Sequence, residues 1–432
     1  MNSQQKYTFF YWKNQNSGAY IGDSVAYSAL DKKLLIVDPF FNYQSRTGWK
    51  HVFKSRIYLA SNRISLNEYD ISKSFYGKYQ IQKIFLKQKI ILTGGIIRTN
   101  NYTDAKLYAD TSFTATNTSI YTQVEKKFWE QLTVNAGARY EIYTIEGPDS
   151  IMNINIKDKY KTIKKPIFRL GLNYRILKNT NIRASIGQGF RYPTIAEKFT
   201  LAEEGDLKFL PNPDLVPESG YTAEIGLRQT IRMHRIHGYA DLSFFQSEYN
   251  NMIELELRYK KFPFFTMVNL ANTIIKGIEF SGGLNGKIAN LEYDLSGGYM
   301  YINPKYKDFN VEVKKNLSVD YNILKYRYKH SLKYDFGINY NGFILGIGYN
   351  YNSFMEAIDK VFESTILFKG VKQYRESHKH GTEIYRLRLG YNYKNIQLKM
   401  NVDNLFNVEY SVRPGIMEAP RSFVLSLGYN LN

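Results

Sequence analysis

No cysteine occurs among the 432 residues, which removes disulfides and thiolate metal sites from consideration. Histidine is nearly as scarce, with six in all, and proline numbers 11 against 30 glycines. No stretch approaches the roughly 18 apolar residues of a membrane-spanning helix, and mean hydropathy is −0.41. The start, Met1 to Lys6 running into Tyr7–Trp12, carries no apolar signal segment and no small-residue cleavage site. An exported protein with this sequence is therefore expected to begin upstream of Met1. Catalytic signatures are missing as well. Gly286-Lys287 has Ser281 where a phosphate loop needs glycine and Ile288 where it needs Ser or Thr, so it reads as a hairpin turn. No His-Glu metalloprotease helix or serine nucleophile elbow is found, and the chain reads as a non-enzyme.

What is abundant is tyrosine (38) and phenylalanine (27). Both favour strands, and tyrosine suits a membrane–water boundary because its ring is apolar and its hydroxyl is wet. Side chains on a strand alternate faces, so the last strand places Phe423, Leu425, Leu427, Tyr429 and Leu431 on one side and Ser426, Gly428 and Asn430 on the other. The same alternation sets Leu132, Val134, Ala136, Ala138 and Tyr140 against Thr133, Asn135, Gly137, Arg139 and Glu141. It also sets Tyr385, Leu387, Leu389 and Tyr391 against Arg386, Arg388, Gly390 and Asn392. A guanidinium facing lipid near the bilayer midplane costs about 2–4 kcal/mol, so the arginine-bearing faces look inward. The expected fold is all-β: an antiparallel transmembrane β-barrel of about eighteen strands, one continuous domain over residues 1–432.

Short turns such as Arg46-Thr47-Gly48, Lys178-Asn179, Asn341-Gly342 and Lys394-Asn395 alternate with long connections. The long ones fall at about 14–31, 61–71, 100–117, 145–164, 190–218, 253–272, 303–326, 355–380 and 405–420. Long loops at one end and tight turns at the other is the asymmetry of bacterial outer-membrane barrels. A passive pore of the same strands, or a soluble β protein that binds a carbohydrate or peptide, are the competing readings. The net charge of +19 is spread through turns and polar strand faces, so nucleic acid is not an expected partner. A basic lumen would instead draw in anionic solutes. His378 and His380 lie in a long loop beside Glu376; two imidazoles are fewer than the four ligands of a structural zinc, so no metal site is expected.

Three stretches go further than generic barrel chemistry. Gly187-Gln188-Gly189-Phe190-Arg191-Tyr192-Pro193-Thr194 is followed by Glu197, then by Asn212-Pro213-Asp214-Leu215-Val216-Pro217-Glu218 and the strand opening Tyr221-Thr222-Ala223-Glu224. Lys276-Gly277-Ile278-Glu279-Phe280 comes next. Near the end stand Asp403, Asn404, Leu405, Phe406, Asn407 and Tyr410, then Pro420 and Arg421 before the last strand. In this order they resemble TonB-dependent outer-membrane receptors. The resemblance implies a barrel of about 22 strands around a plug, so this chain is expected to be the C-terminal portion, without the plug and about four front strands. It implies location in the outer membrane of a Gram-negative bacterium, contact with outer-membrane lipid and insertion by the barrel-assembly machinery. It also implies uptake of a small metal chelate or nutrient, a ferric siderophore first, driven by the TonB energy-coupling complex through the plug. No cofactor is implied. Arg191, Tyr192, Pro193, Glu197, Asn212, Asp214 and Glu218 become candidates for contact with ligand or plug. A haem receptor of this family would carry a histidine between the two loop elements, and residues 194–211 contain none.

Overall fold

The computed structural model describes residues 2–9, 12–18, 20–24, 27–64, 68–151, 154–156, 160–204, 207–259, 262–311, 319, 321–363, 369–413 and 416–430. One antiparallel sheet dominates it. Each strand pairs with the next along the chain, from Asn2–Phe9 through Trp49–Ile64, Leu132–Glu146, Glu218–Met233 and His330–Tyr340 to Ser422–Tyr429. Tyr27–Val37 and Phe40–Gln44 lie end to end along Trp49–Ile64, so they form one interrupted strand and the wall has 18.

Alternation decides which way the wall faces. Ile120, Phe168 and Ile225 are more than half exposed on the outer side, as lipid-facing residues must be. Ser119, Glu141 and Ser243 are buried on the inner side. Inside, arginines lie opposite glycines: Arg183 pairs with Gly226 and Arg388 with Gly346. A Cβ on Gly226 would meet the Arg183 guanidinium at 2.7 Å, and one on Gly346 would meet Arg388 at 2.6 Å. The small residue makes the space in which the long cation lies flat. There Arg388 reaches both Asp335 oxygens at 2.6 Å, while Arg183 reaches Glu224 at 2.9 Å and Asp241 at 2.7 Å. At the tight-turn end Asn341 (φ 49°) and Gly342 (φ 90°) supply the two positive φ angles of a two-residue hairpin.

Two of the expected long loops are not loops. Trp49–Ile64 and Glu68–Phe85 continue as strands through most of 61–71, and Ile90–Ala105 and Thr111–Phe128 through most of 100–117. A strand crosses the hydrocarbon in about 9–11 residues, and these have 16 to 18, so they project beyond it. In the projecting part most residues are polar (Asn100, Asn101, Thr103 and Asp104, with Ser112, Thr114 and Thr116), which in a sequence looks like a loop, although Phe113 and Ala115 are buried there.

The two end strands are each paired on one side among the described residues: Asn2–Phe9 with residues 27–34, and Ser422–Tyr429 with Ile396–Asp403. Residues Ser422 to Tyr429 are exposed on both faces. Leu431, expected on the outer face of this strand, lies outside the described residues.

Candidate functional site at the loop-bearing mouth

The loops at the long-connection end fold onto one another. On one side Phe113 stacks on Phe199 of the short helix Ile195–Phe199, with centroids 4.2 Å apart, within a cluster that includes Tyr108, Ile145 and Ile151. On the other, Trp12, Phe265, Val361 and Val371 form a second cluster, and Leu270, Tyr306, Val319 and Leu324 a third. The mouth is therefore a cap with its own dry interior.

Arg191 sits at the rim of the first side. Its Nε donates to Glu218 at 2.6 Å and its Nη1 donates to both Glu197 oxygens at 2.8 Å. Glu197 also closes a capping box with Thr194, and Glu218 accepts the Ile253 N–H of the following loop. Charge-assisted bonds to two carboxylates pin the loop and leave the guanidinium engaged. Tyr192 stacks on Tyr143 at 4.0 Å, and the Tyr143 hydroxyl donates to the Pro193 carbonyl at 3.4 Å. Asn212 donates to the Met267 carbonyl at 2.8 Å and accepts the Asp214 N–H at 3.2 Å, while the Asp214 side chain is exposed. Arg191, Tyr192, Pro193, Glu197 and Glu218 thus form one knot, and Asn212 and Asp214 the turn beside it.

The C-terminal motif builds a second knot. Asn404, buried at φ 52°, donates to the Val408 carbonyl and accepts the Val408 N–H, both at 2.8 Å. Asn407 accepts the Arg421 N–H at 2.9 Å, and the Arg421 guanidinium donates to the Leu405 carbonyl at 3.3 Å. Leu405 N–H bonds Tyr385, whose ring meets Phe406 edge-on at 5.1 Å. Asp403 ends its strand opposite Ser422, and Pro420 and Arg421 lead into the final strand. These residues shape a connection. Among them Tyr410 reaches a pocket.

That pocket lies between the helix Val371–Ser377, the segment around Val408–Ser411 and Trp12, and has a volume of about 110 Å³. Trp12 meets Tyr374 edge-on at 5.7 Å, and Tyr374 stacks on His378 at 4.0 Å. His378 Nδ1 lies 2.8 Å from the Tyr374 carbonyl and 3.0 Å from the Ser377 hydroxyl. Arg375 donates to the Met355 carbonyl at 3.0 Å and lies over Phe354; burial holds its guanidinium below the usual value. Among the described residues no group of three or more His, Cys, Asp or Glu could hold a metal ion. A cavity of about 150 Å³ holds one benzene-sized ring, so this smaller pocket takes at most a single ring and not a whole chelate. A wider recess of about 690 Å³ lies in the lumen between Asn173, Arg183, Asp241, Tyr299 and Lys333. Sequence reading placed His378 and His380 in a long loop beside Glu376. His380 is exposed, but His378 is half-buried and both line the pocket. Tyr374, Arg375, His378 and His380 fall within seven residues, a concentration that could have marked them.

A large, nearly all-antiparallel wall with a folded cap at one end defines a class of membrane β-barrels. Residues 1–405 match the family model for the TonB dependent receptor-like β-barrel, and the chain belongs to that family. It is 26% identical over 147 residues to a probable hemoglobin and hemoglobin-haptoglobin-binding protein 4 of Haemophilus influenzae (strain ATCC 51907 / DSM 11121 / KW20 / Rd). That match spans 31% of this chain and 14% of the relative. Among solved structures, the FrpB iron transporter of Neisseria meningitidis superposes with a TM-score of 0.71 at 11% identity, over 99% of this chain and 68% of that one. The siderophore receptor PiuA of Acinetobacter baumannii gives 0.67 at 15%, over 93% and 65%. At such identities the likeness is one of fold.

Proposed function

We propose that this chain forms the barrel of an outer-membrane receptor in a Gram-negative bacterium, and that the receptor takes up a ferric siderophore in an energised step. The observation that carries this reading is the capped mouth, with an aromatic, cation-bearing pocket at the end of a family barrel. Arg375 and the rings around it suit one anionic aryl group of a chelate. A plug segment would fill the barrel and connect it to the TonB energy-coupling complex. Lipid would surround the outer face, and the barrel-assembly machinery would insert it.

Radio-iron accumulation by cells carrying the receptor gene tests this, with a ferric siderophore as cargo and haemin as the comparison cargo. Haemin belongs in the assay because one relative is named for hemoglobin binding. Saturable ferric siderophore uptake that a protonophore abolishes is the expected result. Uptake indifferent to the protonophore, with a stable open conductance in planar bilayers, would establish a passive pore instead. Cysteines at Asn101 and Glu376 should label from outside intact cells and one at Asn341 should not.

A further inference from the structure

Three loops of the cap meet at one buried lysine. Lys325, from the connection after Leu291–Tyr306, has a fully buried side chain. It reaches Glu256 of the hairpin Ile253–Tyr259/Pro263–Asn269, and Asp359 of the connection after Phe343–Asn352 at 2.8 Å. Its Nζ also donates to the Leu255 carbonyl at 3.1 Å. Next along the chain, the Tyr326 hydroxyl donates to Asp359 and the Tyr326 N–H to the Ala357 carbonyl at 2.9 Å. Glu254 stands at the edge of this cluster with its side chain 11% exposed. One of its oxygens lies 3.5 Å from Arg327, beyond good hydrogen-bond length, and the other has no hydrogen-bond partner among the described residues.

We propose that Lys325, Glu256 and Asp359 are a latch that makes three loops move as one lid, and that a proton on Glu254 tightens it. The groups facing Glu254 are the cations Lys325 and Arg327, the carboxylates Glu256 and Asp359, and the phenols Tyr306 and Tyr326. Ionised, Glu254 adds a third carboxylate to a dry site and leaves one oxygen unbonded. Protonated, it loses that repulsion and gains a donor. Burial raises its pKa to about 7, against the attraction of Lys325 and Arg327. The folded value lies above the unfolded one, so the closed lid is favoured when Glu254 holds its proton. That advantage falls as pH rises from the ordinary carboxylate range through about 7, and is gone above it.

The latch bears on the pocket because the loop holding Asp359 also carries Phe354, Met355, Tyr374, Arg375 and His378. The inference rests on loop geometry and does not depend on which cargo the barrel passes.

Hydrogen exchange of the purified full-length protein in detergent tests it, with rates corrected for the intrinsic pH dependence of exchange. Peptides covering residues 253–259, 321–329 and 353–363 should open together, and roughly tenfold more often at about pH 8 than at about pH 6. In Glu254→Gln the opening should be flat across that range and less frequent than in wild type even at about pH 6, where the opened wild type already ionises Glu254, with barrel strands unchanged. Lys325→Met should open all three segments at every pH. A flat wild-type profile, or three segments opening at unrelated rates, would overturn the proposal. Should Lys325→Met fail to fold, wild type against Glu254→Gln decides alone.

Discussion

The wall and the cap are held together by opposite means. In the wall, stability comes from neighbours: each strand bonds the next, and lipid-facing and lumen-facing residues alternate with a period of two. In the cap it comes from distant partners, such as Lys325 with Glu256, 69 residues apart, and Asn212 with Met267, 55 apart. A repetitive rule can be read from any short window. A cap assembled from separate loops follows no local period. The contrast teaches that damage should stay local in kind: wall defects should act on insertion and closure, cap defects on capture and release.

The sharpest way to break the comparison is at the wall's two end strands, each paired on one side only among the described residues. In hydrocarbon no water satisfies free N–H and C=O groups, so an open edge is costly along its whole length. Residues 1–432 expressed alone should not give the heat-modifiable gel mobility of a closed barrel, and coexpressing further strands with a plug segment should restore it. A folded band from this chain alone would show that Asn2–Phe9 and Ser422–Tyr429 can meet, and would favour a self-closing pore. Next in size is a single lipid-face charge. Leu389→Arg should cost about 2–4 kcal/mol in a urea titration of the inserted receptor, whereas Ser426→Arg, on the lumen side, should cost far less. Equal costs would mean that the two faces are misassigned.

The same contrast explains what was legible in the sequence. Strands such as Leu132–Glu146 and Thr382–Tyr393 were readable because lipid and water impose the alternation directly. The ends of Ile90–Ala105 and Thr111–Phe128 were not, because beyond the membrane lipid no longer imposes the alternation and Asn, Thr and Ser look like a loop, while Phe113 and Ala115 pack into the cap. The motif around Arg191 stood out as a unit, and its residues do gather. The resemblance made them candidates for contact with ligand or plug, whereas the guanidinium of Arg191 is engaged by the carboxylates of Glu197 and Glu218. The latch at Lys325 had no sequence signal, since a lone lysine between Leu324 and Tyr326 looks like any loop cation.

A smaller effect sharpens the picture at the junction of the two regions. Asn404→Ala removes the side chain that satisfies Val408 on both its N–H and C=O and that holds a positive φ. Buried backbone groups left without partners, plus the strained φ, cost about 1–3 kcal/mol. The loss should appear as faster proteolysis between Leu405 and Arg421, with the strand pairs before Thr382 keeping their exchange protection. Loss of protection throughout the barrel would mean that this knot is needed for the wall itself.

The smallest expected effect is at Arg191. Its side chain is 42% exposed, so solvent screening discounts its two ion pairs to about 1 kcal/mol. In Arg191→Ala the capping box between Thr194 and Glu197 survives, and Glu218 keeps the Ile253 N–H. The loop should therefore stay folded but lose the link between its two ends. Heat-modifiable assembly should be normal while energised uptake falls several-fold. Arg191→Lys should recover part of it, because an ammonium keeps the charge but cannot span both carboxylates with a fork of donors. Full uptake by the alanine variant at normal expression would make the knot dispensable and leave the cap's function to the side held by Lys325.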